Sequence, residues 1–315
     1  MHMEHYCTLF DRKFLPAGLC LHESLARLGE EFHLWILCMD EEVEEKLRAL
    51  KLENITLIRL DEIENERLKG VKGGRSTGEY CWTLTPFLPG YVLERNPALK
   101  RVTYLDADIY FFRSTAPIFR ELEQSGAEVL ITEHAYAPEY DKASTAGRFC
   151  VQFVTFANSA GAKGVLQWWQ DRCIEWCFAR VEDGKFGDQK YLDQWPALFG
   201  GKVHILQDKR LALAPWNADF YLSAEKSALL PVFYHFHGLR LIAPTQARLY
   251  SGYQVGDAAL DLYQAYVQAL ERATARLEGA GYPIPFFAEN LTVSGALRAW
   301  LRALLGKTKV ATLAR

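Results

Sequence analysis

The chain has no hydrophobic run long enough to cross a membrane and no marked excess of charge of either sign. Its 36 Lys and Arg residues nearly balance 39 Asp and Glu residues, which leaves a net charge of −3 across 315 residues. A membrane-spanning helix needs about 20 consecutive apolar residues. A net charge this small gives no electrostatic argument for binding nucleic acid. Residues 1–7 also lack the basic and apolar segments of a signal peptide, so we expect a cytoplasmic protein.

The chain also lacks the cysteine pattern of a disulfide framework or a zinc site. Its 7 cysteines are odd in number and mostly scattered, several of them within apolar segments. Cys173 and Cys177 lie one helical turn apart, but no second pair of Cys or His at metal-binding spacing accompanies them. We therefore expect reduced, buried thiols. No Gly-x-Gly-x-x-Gly follows the first expected strand, which argues against a dinucleotide-binding Rossmann site.

Strand and helix patterns alternate along the first sixty residues. His5–Phe10, Phe32–Met39 and Asn54–Leu60 have the apolar patterns of strands, and Pro16–Gly29 and Glu41–Lys51 have those of helices. With half of the residues hydrophobic, the chain can bury a large core. Such alternation predicts an α/β fold with a parallel sheet covered by helices on both faces. Ligands of these sheets bind at the carboxyl ends of the strands.

Two carboxylates interrupt the apolar stretch Arg101–Phe112. The residues before Asp106-Ala107-Asp108 predict a buried strand, and the apolar run resumes after the motif. Buried charges in such a position cost several kcal/mol of stability unless they are compensated, and a divalent cation is the usual compensation. Residues i and i+2 of an extended backbone point to the same side, so we expect both carboxylates to face one ion. Two solvated turn carboxylates are the alternative.

Two later segments carry further candidate groups. His235 and His237 alternate along an expected strand and can both reach one ion, whereas a hydrogen-bonded structural pair is the alternative. Asp188 and Gln189 open an expected helix, where Asp188 is either an N-cap or a functional carboxylate. The loop Ala214–Asp219 sets polar groups beside a tryptophan, which suits a sugar- or acceptor-facing loop or an ordinary turn.

In their order along the chain, these motifs resemble those of GT-A-fold glycosyltransferases that use nucleotide-diphospho-sugars. The order is that of retaining enzymes similar to glycosyltransferase family 8: a strand with its turn, then Asp106-Ala107-Asp108, then Asp188-Gln189, then His235-x-x-Gly238. The resemblance covers about residues 5–242. It implies an α/β fold with a doubly wound, mostly parallel sheet, followed by a C-terminal helical extension.

The resemblance implies a metal site and a nucleotide-sugar donor. Asp106, Asp108 and His235 match the positions that hold Mn²⁺ or Mg²⁺ in this family, and His237 is a further candidate ligand. The metal would bind the diphosphate of the donor, which we expect to be a UDP-sugar. The acceptor is expected to be a glycan or a lipid-linked glycan.

The resemblance also implies residues that contact the nucleoside and the sugar. Thr8 and Asp11 fall where the family contacts the uracil or the ribose. Asp188 and Gln189 fall where the family contacts the donor sugar near its anomeric carbon. A carboxylate or an amide oxygen there would stabilise an oxocarbenium-like centre. We expect these two residues to be catalytic.

Three positions depart from the family pattern. Leu241 occupies the place of a lysine that touches the diphosphate, so we expect Arg240, beside Gly238, to supply this charge. Gly238 would let the backbone approach a phosphate closely. Cys150 and Gln152 replace an Asn and a Gly near the donor. These departures leave open a non-catalytic nucleotide- or glycan-binding protein on the same scaffold.

A haloacid-dehalogenase-like phosphatase is another alternative. Such enzymes also have an Asp-x-Asp motif after an apolar strand, with the first Asp as nucleophile. Their motif usually lies early in the chain and is followed two residues later by Thr or Val. Here it is central and is followed by Tyr110 in that position.

The composition changes near residue 250. We expect a transferase domain over residues 1–250 and a C-terminal helical extension over residues 251–315. The tail Leu291–Arg315 carries basic residues, several leucines and no acidic residue. Such a tail can contact an anionic membrane surface peripherally, at the inner face of the membrane, or form a packed basic helix.

Overall fold

The computed structural model describes residues 3–223, 230–287 and 301–314. The β-strands are Glu4–Phe10 (β1), Phe32–Cys38 (β2), Ile55–Arg59 (β3), Arg101–Leu105 (β4), Ile109–Phe111 (β5), Val129–Glu133 (β6), Phe149–Ala157 (β7), Val203–Ile205 (β8), Ala212–Leu213 (β9), Phe233–His235 (β10), Arg240–Ala243 (β11), Gln246–Ser251 (β12) and Thr308–Thr312 (β13). The α-helices are Leu15–Arg27 (α1), Glu41–Leu50 (α2), Leu60–Ile63 (α3), Glu66–Lys72 (α4), Thr77–Leu84 (α5), Phe87–Arg95 (α6), Ala116–Ser125 (α7), Ala143–Ala146 (α8), Ala160–Glu175 (α9), Trp195–Phe199 (α10), Ala218–Ser223 (α11) and Asp257–Gly279 (α12).

The central sheet has seven strands in the order β3-β2-β1-β4-β7-β6-β8. Strands β1 to β4 run parallel, whereas β7 is antiparallel to both of its neighbours. The chain leaves β1 toward β2 and β3 on one side and returns to β4 on the other side. The crevice at the carboxyl ends of β1 and β4 is thus the switch point at which ligands of doubly wound sheets bind.

Both faces of this sheet are buried, which confirms the expectation from the sequence. Along β1, Tyr6 and Phe10 belong to one hydrophobic core, and Cys7 and Leu9 belong to another. Successive residues of a strand point to opposite faces, so the continuous apolar pattern of β1 supplies both cores. All seven cysteines are unpaired, and each is buried except Cys81, which is half-buried.

Polar side chains determine where several helices begin. Asp40 accepts a hydrogen bond from the backbone N–H of Val43 at the start of α2. Ser159 accepts one from Ala162 at the start of α9. Each side-chain oxygen satisfies a backbone donor that has no partner inside the helix.

A second, three-stranded sheet joins two distant parts of the chain. Strand β10 pairs antiparallel with β5 and parallel with β9, and His235 lies opposite Ile109. This pairing brings the segment after the Asp-x-Asp motif next to the histidine segment. A site assembled from both motifs therefore depends on this small sheet.

The C-terminal part packs on the first part of the chain. Helix α12 lies against α1, where Arg272 binds the Glu23 carboxylate through Nε, 3.1 Å from Oε2. Strand β13 pairs antiparallel with β12, so the helical extension also contains a strand that the sequence pattern did not predict. The division of the chain at residue 250 stays a prediction.

The structure covers only part of the basic tail. Leu297, Arg298 and Trp300 lie outside the described residues. Among the helices that the structure describes, none is long and apolar enough to span a bilayer.

Gly18 tests the packing between α1 and β1. A Cβ at this position would overlap the buried ring of Phe10, whereas a Cβ at Gly70 of α4 would enter open space. We expect Gly18→Ala to lower the free energy of unfolding by about 1–3 kcal/mol, because overpacking displaces the ring. The control Gly70→Ala should raise it by up to about 1 kcal/mol. Urea denaturation measures both, and equal effects of the two variants would contradict this description of the α1–β1 contact.

Candidate functional site

The Asp-x-Asp motif lies in a tight turn at the carboxyl end of β4. The backbone N–H of Ile109 donates to the carbonyl oxygen of Asp106 at 3.3 Å, so the chain reverses between β4 and β5. The expectation that alternation along an extended strand aligns the two carboxylates was therefore wrong. A turn brings Asp106 and Asp108 together instead, because the apolar run that resumes after the motif is a separate strand of another sheet.

The turn and the histidine strand form a compact cluster of three ligand groups. Nε2 of His235 lies 3.0 Å from Oδ1 of Asp108 and 3.8 Å from Oδ2 of Asp106. One ligand atom from each residue lies within 4.8 Å of the other two. At these distances, one metal ion can bind both carboxylates and the imidazole nitrogen. Carboxylates suit Mg²⁺ and Mn²⁺, so the donor set fits the expected cation.

Charge within the cluster is only partly balanced. Burial raises the pKa of Asp106 above its usual range, although the nearby His235 opposes this rise. Burial also tends to raise the pKa of Asp108, but the nearby His235 outweighs burial and holds this pKa below its usual range. Burial also disfavours the charged form of His235, yet the Asp108 carboxylate raises the pKa of this imidazole well above its usual value. A proton on His235 thus occupies the position that a cation would take.

Two neighbouring residues, Tyr104 and Gln152, hold the cluster in place. The hydroxyl of Tyr104 donates to Oδ1 of Asp106 at 3.2 Å. Gln152 accepts a hydrogen bond from the backbone N–H of Asp106 at 3.0 Å and contacts Nδ1 of His235 through its side chain at 2.7 Å. Sequence reasoning assigned no role to Tyr104 and treated Gln152 as a departure from the family. The contacts of Gln152 cross between strands and leave no local signal, whereas Tyr104 lies only two residues before Asp106.

The segment after β10 adds a cation and a glycine to this edge. Nη1 of Arg240 lies 3.6 Å from Oδ2 of Asp108, and its guanidinium stacks over Phe14 at 4.5 Å from the ring centroid. Gly238 adopts a φ of 79°, a conformation that favours glycine. The metal cluster contains His235 and not His237, whose side chain is exposed. Contact of Arg240 and Gly238 with a diphosphate stays a prediction, as does metal ligation by His237.

Asp188 and Gln189 lie in a segment near the metal-ligand cluster. Asp188 is buried and occupies the N-cap position of a short 3₁₀ helix, although its side chain makes no capping hydrogen bond there. Burial, and then the nearby Asp106 carboxylate, raise the pKa of Asp188 to about 8. Nε2 of Gln189 donates to the carbonyl oxygen of Ala146 at 2.7 Å, which fastens α8 to this segment. Contact of either residue with a donor sugar stays a prediction.

Thr8 and Asp11 lie at the carboxyl end of β1, beside the same crevice. The Oγ1 of Thr8 is buried and has no hydrogen-bond partner among the residues that the structure describes. Asp11 caps a short 3₁₀ helix by accepting from the backbone N–H of Lys13 at 3.0 Å. Burial, followed by the charges of Asp11 and Asp188, raises the pKa of the Cys81 thiol to about 12. Their contact with a nucleoside stays a prediction.

Trp216 forms the base of an aromatic cluster beside the histidines. Its ring is buried and lies 5.6 Å from that of His235 and 5.4 Å from that of His237. The half-buried rings of Tyr136 and Tyr253 lie 6.0 Å and 6.3 Å from it. The indole Nε1 is occupied, because it donates to a backbone carbonyl 2.7 Å away. Trp216 is thus a fixed support, and the surrounding rings form the accessible surface.

Two proteins of known sequence are similar to most of this chain. YfnF of Bacillus subtilis (strain 168) is 32% identical over 252 residues, which cover 76% of this chain and 82% of YfnF. YfnD of the same organism is 31% identical over 305 residues, which cover 91% of this chain and 94% of YfnD. Both are described as uncharacterized proteins. No protein-family model matches the chain.

Solved glycosyltransferase structures share the fold. The galactosyltransferase LgtC, in complex with donor and acceptor sugar analogues, superposes with a TM-score of 0.55 at 15% identity, over 88% of this chain and 99% of LgtC. Mouse xyloside xylosyltransferase 1 does so with a TM-score of 0.50 at 14% identity, over 75% of this chain and 98% of its own. These similarities confirm the GT-A fold that the sequence motifs implied. They exclude the haloacid-dehalogenase-like fold of the phosphatase alternative.

The buried Asp188 carboxyl predicts how stability depends on pH. Its pKa of about 8 in the folded chain exceeds the usual value of about 3.9 in an unfolded chain. The folded state therefore binds more protons between these values, and stability falls as pH rises through this window. Asp188→Asn should gain about 4 kcal/mol relative to the unmutated chain on going from pH 5 to pH 9. Urea denaturation with a metal chelator measures this gain.

The exposed Asp261 of α12 provides a matched control for that experiment. Asp261→Asn should change the free energy of unfolding by the same amount at both pH values. An Asp188→Asn effect that is equally independent of pH would contradict the burial of a proton-binding carboxyl at this position.

Proposed function

We propose that this chain, which belongs to the family of the Bacillus subtilis proteins YfnF and YfnD, is a metal-dependent glycosyltransferase. It would move a sugar from a nucleotide-diphosphate donor to an acceptor glycan. The observation that carries the proposal is the convergence of Asp106, Asp108 and His235 beside the switch point of a GT-A sheet. A doubly wound sheet binds its ligand at this position, and this cluster suits a cation that accompanies a diphosphate.

In this proposal, Asp106, Asp108 and Nε2 of His235 bind Mn²⁺ or Mg²⁺. The bound ion would neutralise charge on the diphosphate leaving group when the glycosidic bond breaks. Arg240 lies near Asp108 and would add a second positive charge on the side of the diphosphate. Gly238, with no side chain, would leave room for a phosphate oxygen beside the backbone.

Thr8 and Asp11 would recognise the nucleoside at the carboxyl end of β1. The buried Thr8 hydroxyl has no partner within the described chain, so it is available to a base or a ribose that enters the crevice. Asp11 retains unused acceptor capacity, because only one of its carboxylate oxygens caps the 3₁₀ helix. We propose a UDP-sugar as donor.

Asp188 would face the anomeric carbon of the donor. Its carboxyl is close enough to Asp106 for the two charges to interact, so a sugar attached to a metal-bound diphosphate would lie within its reach. Above its pKa of about 8, the ionised Asp188 would stabilise an oxocarbenium-like centre. Gln189 would hold α8 against this edge and bring its amide close to the sugar. We propose transfer with retention of configuration, which the anomeric form of the product would test by NMR.

The aromatic cluster around Trp216 would bind the acceptor. It adjoins the metal ligand His235, and its outer rings, Tyr136 and Tyr253, are half-buried. Aromatic faces of this kind bind the apolar C–H face of a sugar ring. The acceptor would be a glycan, free or linked to a lipid.

A lipid-linked acceptor would bring the chain to a membrane surface. Leu301, Leu304 and Leu305 expose 45%, 65% and 60% of their surface, and Lys307 and Lys309 follow them. We propose that this surface contacts anionic lipids peripherally at the inner face of the membrane, in a cytoplasmic protein. Flotation with anionic but not with neutral vesicles would support this contact, and equal behaviour with both would contradict it.

Thermal unfolding with nucleotides tests the donor site. With Mn²⁺ present, UDP should stabilise the chain, by about 2.7 kcal/mol at a hundred times its dissociation constant, and GDP, CDP and ADP should do so much less. Asp108→Asn should abolish this stabilisation, because one ligand of the cluster is lost. The control Asp61→Asn, which changes an exposed carboxylate, should preserve it.

No stabilisation by any of the four nucleotides would contradict the proposed donor site. Release of UDP from a UDP-sugar in the presence of Mn²⁺ then separates an enzyme from a non-catalytic binding protein. Stabilisation by UDP without such release, across a panel of UDP-sugars and acceptor glycans, would favour the binding protein.

Tyr253→Ala tests the acceptor surface. The variant should raise the KM for the acceptor about 5-fold, since stacking on an aromatic ring contributes on the order of 1 kcal/mol. It should leave UDP stabilisation and hydrolysis of the UDP-sugar unchanged, because Tyr253 lies outside the metal cluster. Loss of UDP binding in this variant would contradict the assignment of Tyr253 to the acceptor.

A further inference from the structure

We propose that Gln152 is a positioning residue that determines which nitrogen of His235 faces the metal site. The inference rests on the proposed function, because it concerns how this chain prepares a ligand for the cation. Gln152 belongs to β7, only 1% of its surface is exposed, and it carries no charge. Its side chain reaches His235 from the side opposite the carboxylates.

The hydrogen bonds around Gln152 fix the orientation of its amide. The hydroxyl of Thr132 donates to the carbonyl oxygen of Cys150 at 3.5 Å. Since this hydroxyl proton is engaged, Oγ1 of Thr132 accepts a hydrogen bond from Nε2 of Gln152, also at 3.5 Å. The amide oxygen Oε1 must then point the other way, toward His235.

This orientation dictates the role of each imidazole nitrogen. Oε1 of Gln152 only accepts hydrogen bonds, so Nδ1 of His235, 2.7 Å away, must carry a proton and donate it. The other nitrogen, Nε2, points at Asp108 and Asp106. In the neutral imidazole that a cation requires, the proton lies on Nδ1, so the lone pair of Nε2 would face the ion. A hydrogen bond to the second nitrogen of a ligand histidine fixes its tautomer and its ring orientation in this way.

Gln152 also holds the other side of the cluster. Its backbone carbonyl accepts the N–H of Asp106 at 3.0 Å, where β4 ends beside β7. One residue thus fixes the turn that carries both carboxylates and the rotation of the imidazole. A side chain without an acceptor at position 152 would remove the acceptor that lies 2.7 Å from Nδ1 of the buried His235.

A titration with Mn²⁺, in which the EPR signal of the free ion measures binding, tests this role. Gln152→Met has nearly the same volume but no acceptor, and we expect it to weaken Mn²⁺ binding by about 10–100-fold, as is typical when such a partner is lost. Gln152→Glu keeps an acceptor oxygen and should retain most of the affinity. Equal Mn²⁺ affinity in the unmutated chain and in Gln152→Met would overturn the proposal. Equal losses of Mn²⁺ affinity in Gln152→Met and Gln152→Glu would also overturn it.

Thr155→Val separates a change at the site from a general loss of stability. Thr155 lies on the same strand and makes a buried hydrogen bond with Thr103 at 2.9 Å, away from the cluster. We expect this variant to lose stability in urea while it binds Mn²⁺ as the unmutated chain does. A loss of Mn²⁺ affinity in Thr155→Val equal to that in Gln152→Met would overturn the specific role of Gln152.

A second readout does not depend on any metal. In protein labelled with ¹⁵N-histidine and freed of metal, the Nδ1–H of His235 should give a proton signal protected from exchange with water. The signal should be absent in His235→Asn and should exchange faster in Gln152→Met. If the unmutated chain bound no Mn²⁺, the proposed function would fail, yet this signal would still decide the role of Gln152. An unprotected Nδ1–H in the unmutated chain would overturn the proposal.

Discussion

The charge balance at the turn between β4 and β5 governs the site. Asp106 and Asp108 place two carboxylates at the edge of a hydrophobic core, where charge is costly unless it is compensated. His235 supplies part of that compensation, because burial disfavours its charged form but the Asp108 carboxylate raises the pKa of the imidazole well above its usual value. A divalent cation would replace the proton of the charged imidazole and bind all three residues. The cluster is therefore suited to exchanging a proton for a metal ion.

The rest of the fold positions this cluster. Strand β4 carries the turn to the switch point of the central sheet, and β10 pairs with β5 to bring His235 opposite it. Strand β7, which is antiparallel to β4, contributes Gln152 from behind. Strand β1 ends beside the same crevice and would present the nucleoside contacts. The proposed donor site thus needs four segments that are distant in sequence, and none of them forms the site alone.

The sequence predicted the parts of the fold that local patterns encode. Alternating strand and helix patterns predicted the parallel strands, and two charges in an apolar stretch predicted the metal cluster. The sequence pattern did not predict that a turn aligns Asp106 and Asp108, because Ile109 continues the apolar run although it belongs to a second sheet. It also missed β13 and the role of Gln152. Pairing with a distant strand creates both, and such pairing leaves no local pattern.

Anomalous diffraction from crystals that contain Mn²⁺ and UDP would test the central claim most directly. The account predicts one manganese peak bonded to an oxygen of Asp106, an oxygen of Asp108 and Nε2 of His235, at about 2.1 Å, with the diphosphate completing the coordination. A peak that excludes His235, or UDP bound elsewhere with no manganese at this cluster, would contradict it.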